Sequence, residues 1–459
     1  MKNTILFFLL LCGLNATATD YDLFFTRPYA NNQYVDNSFG GVSTGSITNP
    51  WKTISAVNQS GLNAGDSLLF KAGGTYTGTL TFTRSGTSGN PIVISRYGSG
   101  ADPVFTGTGS TITGLFVLSG RSWVVFDRLK ITDPSIDLND SSEVSKIQRG
   151  FIFQSGTTNC TIQNCFIELC GVAAYFPSGG NTMRNCEVTN LRMVVSSGSG
   201  DYGANPLVLE SGNNTITRNY FHDCIAKSVE FGYDGGAVEF YNGTADNNVV
   251  TYNKIVNCLV LSEFGSSSGG TIENCVFAYN LLINNGCTFY VNTSGGFAVA
   301  INNIQLYNNV MVEQRQNVVG DTYMIGLQTA VGTAGQIVMK NNIFYLRAGL
   351  DVCRSGQFTG SQLTHTNNLY NLGSGSVLNF TLGGTEKSEV STIWQAQSGA
   401  AETWDYRLTS TSSARNMGTN VGYTFDYAGR PVPSVPDAGI YQFNSGITQG
   451  RGIKFIQGQ

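Results

Sequence analysis

Charge is scarce in this 459-residue chain: Asp, Glu, Lys and Arg together make up 12%, against a usual share of about 25%. The net charge of −4 leaves no basic field of the kind that holds nucleic acid, so no nucleic-acid partner is expected. Histidine occurs twice, and no Cys-x-x-Cys pair is present, which removes the usual zinc patterns. Long apolar runs are missing as well. The longest, Ile5 to Leu11, falls short of the about 20 residues that span a bilayer. Helical periodicity is all but absent beyond residue 57.

That short apolar run has its own meaning. Lys2 supplies a positive start and Ala16-Thr17-Ala18 a small-residue cleavage site, so residues 1–18 read as an export signal. Leu11 stands where a lipidated Cys12 would need a small residue. The mature chain is expected to be secreted or periplasmic, without a membrane span, and monomeric. Nine cysteines then remain. Cys165, Cys186, Cys224, Cys258 and Cys275 sit inside apolar runs and read as small buried residues.

What is abundant is glycine, 56 residues, with Asn, Ser and Thr. One helix signal stands out: Asn49 as N-cap, Pro50 in the first turn, and Trp51, Ile54 and Val57 on one face, as expected of a short capping helix. Afterwards short apolar segments alternate with glycine turns, as in Ser67–Lys71 and Thr75 to Phe82. A repeat then organises the chain. Asn164, Asn185, Asn219, Asn253, Asn280, Asn308, Asn341 and Asn367 each follow a Thr, Ile or Val and usually precede an apolar residue two positions on. One such coil cannot bury its own apolar face, so stacked coils make the core. Asparagine tolerates a left-handed turn and can bond the same amide one coil above. The expected fold is all-β, a single-stranded parallel β-helix with an asparagine ladder.

The segments Asn49-Pro-Trp-Lys-Thr-Ile-Ser-Ala-Val-Asn58, Gly65-Asp66-Ser-Leu-Leu-Phe-Lys71 and Gly89-Asn-Pro-Ile-Val-Ile94 resemble the opening of secreted bacterial right-handed parallel β-helix proteins that degrade polysaccharides. Asp405-Tyr-Arg-Leu408, Asp426-Tyr-Ala-Gly429-Arg-Pro431 and Pro436-Asp437-Ala-Gly439-Ile-Tyr441 are similar to their closing segment. The resemblance implies a right-handed solenoid: an N-terminal cap and first coils over 19–110, the β-helix over 111–375, and a closing segment over 376–459. It leaves function open, because that group contains glycoside hydrolases, polysaccharide lyases and others.

Three apolar runs end in a carboxylate: Leu207-Val-Leu-Glu210, Ala237-Val-Glu239 and Leu261-Ser-Glu263. If their registers match, successive glutamates stand one strand spacing apart, about 4.8 Å. That suits the carboxyl pairs of glycosidases, one of them a general acid with a raised pKa. Asp234, before Gly235 and Gly236, is either the partner acid of Glu239 or a turn residue. Tyr202, Tyr233, Tyr241 and Tyr290 are candidate sugar contacts, though each is more often packing. His222, Lys227 and Arg315 are candidate binders, His222 with Asp223 being more often a structural pair. The expected function is glycoside hydrolysis of a polysaccharide or oligosaccharide, with no cofactor. The alternative is a calcium-dependent lyase acting on a uronate-containing glycan. The resemblance implies a basic proton abstractor for such lyases, and here Glu263-Phe-Gly-Ser-Ser-Ser268 stands where a lysine would be. A non-catalytic glycan-binding surface β-helix is the third class.

Overall fold

In this computed structural model, residues 31–315, 322–327, 336–358 and 362–443 are described. The expected export signal lies outside them, as does the chain from 444 onward. Three long parallel sheets form the walls of a β-helix. Among the described residues, sheet 1 has 12 strands from Gln33–Val35 to Leu363–Thr366, sheet 2 has 10 from Leu80–Phe82 to Asp351–Cys353, and sheet 3 has 12 from Thr75–Thr77 to Lys387–Ser388. Each coil contributes one strand to sheet 1, then to sheet 3, then to sheet 2, as in Thr161–Gln163, Phe166–Glu168 and Val172–Phe176. No helix among the described residues is long and apolar enough to cross a membrane.

The core is a continuous stack of side chains from successive coils. Phe116 lies over Phe151 (ring centroids 4.9 Å), Phe153 over Phe176 (4.7 Å) and Phe240 over Phe264 (4.8 Å). Each such pair adds about 0.5–1.5 kcal/mol beyond burial of its area. All nine cysteines of the described residues are buried and without a disulfide.

The ladder exists: Asn219, Asn253 and Asn280 stand where the repeat places it, while Asn164, Asn185, Asn308, Asn341 and Asn367 fall one residue before its column. Between sheets 1 and 3 every coil turns through a left-handed residue: Asn164, Asn185, Arg218, Tyr252, Tyr279, Asn308, Asn341 and Asn367, with φ between 51° and 60°. The residue after it points inward. There Asn219, Asn253, Asn280, Asn309, Asn342 and Asn368 form the buried ladder, each amide oxygen accepting from the backbone N–H of its predecessor at 2.9–3.0 Å. Cys165 and Cys186 occupy the same inward column at its start. Asn164, Asn185, Asn308, Asn341 and Asn367 are therefore turn residues, chosen for backbone conformation. The ladder ends where Asn368 donates to the Glu386 carboxylate, which also takes bonds from His365 and Tyr370.

The N-terminal helix expected at 50–57 is not formed. Pro50 and Trp51 instead run beside the first strand, with Trp51 bridged to Val35, and only a single 3-10 turn, Ile54–Ala56, follows, capped by Thr53 rather than Asn49. Edge pairing of Trp51 outweighs a one-turn helix that has too few bonds to propagate.

The closing segment lies along the outer face of sheet 3. Trp394, Tyr406, Leu408, Tyr427 and Ile440 pack there on Val256, Leu281, Ile283, Val310 and Ile343. Three left-handed asparagines hold it: Asn308 donates to Asp437 and Gly439 carbonyls, Asn341 to Thr419, and Asn367 to Met417. Sheet 3 is thus covered from the Tyr220 coil onward, and the outer face of sheet 2 is left for other work.

Candidate active site

On sheet 2, Glu239 pairs directly with Glu263, and Glu263 with Tyr290. On the other side Glu239 faces Val208, not Glu210. Glu210 therefore stands two residues further along its strand, beside Tyr241. It shares the outer face but not the row. Of the two one-rung pairs expected, Glu239–Glu263 is formed and Glu210–Glu239 is not. The inward neighbours of the two glutamates, the stacked Phe240 and Phe264, make that register hard to slip, since a one-residue shift would turn both rings outward.

Two antiparallel hairpins enter sheet 2 beside this row. One pairs Met193–Val195 with Tyr202–Gly203, the other Ala226–Ser228 with Gly232–Asp234. The Asp201 carboxylate ties them together, accepting from Ser197 N (2.6 Å), the Ser228 hydroxyl (2.8 Å) and Glu230 N (3.0 Å). The second hairpin delivers Asp234 to the acids. Gly235, at φ 122°, passes so close to Cys224 and Ala204 that a Cβ would meet the Cys224 carbonyl at 2.7 Å, and one on Gly236 would meet Val260 at 2.8 Å. Only glycine lets the chain turn there.

All three acids are half-buried, and their protonation follows. Burial pushes the Asp234 carboxyl up to about 7, helped by the Glu263 charge. Burial pushes Glu239 well above the carboxylate range, with the charges of Glu263, Asp234 and Glu210 adding to it. Burial raises Glu263 too, but the Asn292 amide donates to its Oε1 at 2.7 Å and opposes the rise. Glu263 is thus the charge that the others feel, and Glu239 the group that keeps its proton. Neither Glu239 nor Glu263 has a cation among its charged neighbours. Among the described residues no three His, Cys, Asp or Glu side chains converge to hold a metal ion.

Aromatic residues line the row on both sides. Tyr202 and Tyr241 join Tyr175 around Val172, Val194 and Val208, while Tyr290 packs with Val260, Cys287 and Tyr323. Tyr241 also lies 6.0 Å from the half-exposed Phe297 ring. Tyr233 is on the second hairpin, opposite Lys227, whose side chain is exposed. Phe264, close to the acids in sequence, belongs to the core.

His222 and Arg315 are placed elsewhere. His222 is on sheet 3, bonded to Asp223 (2.8 Å) and Glu187 (3.3 Å) and stacked on Tyr220. Burial alone would lower its pKa, yet those two carboxylates lift it to about 9. Arg315 bonds Asn257 and the Cys258 carbonyl at the turn after sheet 3. Both are structural there.

Residues not anticipated also meet at the site. Tyr175 donates to Glu210 Oε1 at 2.6 Å, Arg149 lies over the Tyr175 ring at 4.8 Å, and Asn292 holds Glu263. Tyr175 and Asn292 sit on the coils flanking the acids, Tyr175 at the strand position of Glu239 and Glu263 and Asn292 two residues past that position, a signal visible only once register is known.

The family model described as the right handed beta helix region matches residues 150–314. The solved structure of pectate lyase Pel9A is similar at TM-score 0.55, with 15% identity over 90% of this chain and 96% of that one. XylC in complex with xylose is similar at 0.53, with 10% identity over 90% and 98%. A rhamnogalacturonan lyase is similar at 0.51, with 15% identity over 73% and 87%. No curated protein sequence matches the chain. At these identities the likeness is one of fold. The chain folds as a right-handed parallel β-helix, and residues 150–314 match the family model of that region.

Proposed function

We propose that the protein is an exported, monomeric carbohydrate-active enzyme that hydrolyses a polysaccharide or oligosaccharide with the Glu239–Glu263 pair. The observation that carries this reading is the register: two carboxyls directly opposite on adjacent strands, one strand spacing of about 4.8 Å apart at the backbone. Retaining glycosidases hold their carboxyl groups about 5–5.5 Å apart. Glu239, protonated by its surroundings, protonates the departing glycosidic oxygen. Glu263, whose charged form the Asn292 amide favours against the rise from burial, attacks the anomeric carbon, and Glu239 then deprotonates the water that releases the sugar. Asp234 holds a second proton near neutrality and is placed to bond a sugar hydroxyl. No cofactor takes part.

β-Elimination is the second reading, because pectate lyase Pel9A and the rhamnogalacturonan lyase share the fold. It needs a group that removes a carbon-bound proton and positive charge to steady the resulting anion. The Glu239–Glu263 row supplies a carboxylate to take the proton but no cationic side chain to steady the anion. The test is incubation with a panel of neutral and acidic glycans, following new reducing ends and the ultraviolet absorbance of unsaturated products together. Reducing ends without absorbance, with retained anomeric configuration, are expected. Absorbance would establish elimination, and neither signal alongside tight binding would make the protein a glycan-binding β-helix.

A further inference from the structure

The row of acids explains bond cleavage but leaves an arginine unused. Arg149 begins the strand Arg149–Phe153, three strands from Val238–Phe240 in sheet 2, about 14 Å along the solenoid from Glu239. Its guanidinium lies over the Tyr175 ring at 4.8 Å and near the Tyr202 ring at 5.7 Å, and Nη2 donates to the Tyr202 hydroxyl at 3.3 Å. Its Nε is buried without a partner. Among the described residues it forms no ion pair: the nearest carboxylate bonded to this cluster, Glu210, is taken by Tyr175. A half-buried arginine held flat on two tyrosines with an unpaired N–H is costly to keep for packing alone. It is preorganised to receive a planar or tetrahedral oxyanion.

The far end of sheet 2 carries a similar pair. Arg354 follows the strand Asp351–Cys353, three strands beyond Val260–Phe264, and lies over the Tyr323 ring at 5.3 Å. The outer face of sheet 2 thus has acids at its centre and arginines on tyrosine faces toward both ends. An anionic ring at the centre would meet the Glu263 charge at short range, where repulsion is strong. The same ring three strands away would meet a cation.

We propose that this face takes a heteroglycan neutral at the scissile bond and bearing a carboxylate or sulfate on a ring some three strand spacings away, where Arg149 receives it. This rests on the Glu239–Glu263 reading only for the position of the scissile bond. Tyr175 and Tyr202 hold the guanidinium in place, and Arg149 chooses among rings by charge. A polymer charged on every ring is a poor fit.

The test is binding rather than turnover, in a Glu239→Gln background. Probes come in pairs: glucuronate-bearing xylo-oligosaccharides with their carboxyl-reduced forms, and sulfated galactan oligosaccharides with their desulfated forms. Isothermal titration is expected to show about tenfold tighter binding for the anionic member of one pair, as a charged hydrogen bond supplies, weakening with salt. Arg149→Gln should abolish that preference while leaving neutral binding intact, and Arg149→Lys should keep part of it. The pair that shows the preference identifies carboxylate or sulfate. Equal affinity within both pairs, equal loss of neutral and anionic binding in Arg149→Gln at unchanged Tm, or no binding of any probe would overturn the proposal. A charge preference without hydrolysis by the wild-type protein would leave the subsite standing and remove the hydrolase reading. Hydrolysis without a preference would do the reverse.

Discussion

Glu239 and Glu263 stand opposite one another on adjacent strands while the rings beneath them, Phe240 and Phe264, stack at 4.8 Å. Two carboxyl groups are held together by the apolar pair that follows each of them. Removing either acid should therefore cost catalysis and not stability. Glu239→Gln is expected to lower kcat by about 10²–10⁴, the usual contribution of a general acid, while Tm stays level or rises because glutamine replaces a buried carboxyl whose ionisation is disfavoured in the fold. Steady-state kinetics and a thermal melt check both halves.

The acids also make stability depend on pH. The Asp234 carboxyl titrates near 7 in the folded protein, well above the about 3.9 of an unfolded aspartate. Between those values the folded state binds more protons than the unfolded one, so stability falls as pH rises from about 4 to about 7. Asp234→Asn should remove this slope, on the order of 1 kcal/mol after allowance for solvent screening. Urea titrations at a series of pH values read it directly.

His222 works in a different window. Its folded pKa of about 9 exceeds the unfolded value of about 6.5. Its ion pairs with Asp223 and Glu187 contribute fully below about 6.5 and are lost as pH rises through about 9. His222→Gln should flatten stability between those limits without changing the pH profile of catalysis, since the ring is on sheet 3. A catalytic profile that moved with His222 would contradict its structural placement.

The ladder and the turn column predict different costs for neighbouring asparagines. Asn280 gives its amide to Val250 and Asn309 and takes the Asn253 N–H, all buried. Asn280→Ala should cost about 2–3 kcal/mol by leaving buried groups unpaired. Asn308→Ala loses two bonds to the closing segment and a residue suited to its positive φ. It should cost less globally but speed amide exchange around Gly439. Denaturant melts and hydrogen exchange separate the two.

The fold was legible because an asparagine-marked turn repeats once per coil and survives every change in loop length. Its exact column was not, because Asn308, Asn341 and Asn367 are each followed by a second asparagine, and only the left-handed φ tells turn from ladder. The acids were legible as a cluster and not as a geometry. Glu210 and Glu239 are reached through hairpins of different length, 193–203 and 226–234, and residue counts across such hairpins do not fix register. Tyr175, Arg149 and Asn292 are legible only in three dimensions.

The three asparagine ties between the closing segment and sheet 3 make that segment a gauge of length. Asn308, Asn341 and Asn367 meet it at Gly439, Thr419 and Met417 in turn, so its chain is matched coil by coil to the solenoid. Inserting or deleting one coil among them would displace every later tie by a strand spacing, about 4.8 Å, beyond hydrogen-bond reach. Hairpins on the acid-bearing sheet carry no such constraint. Variation in this architecture is therefore steered toward the hairpins beside the acid row and away from the number of coils.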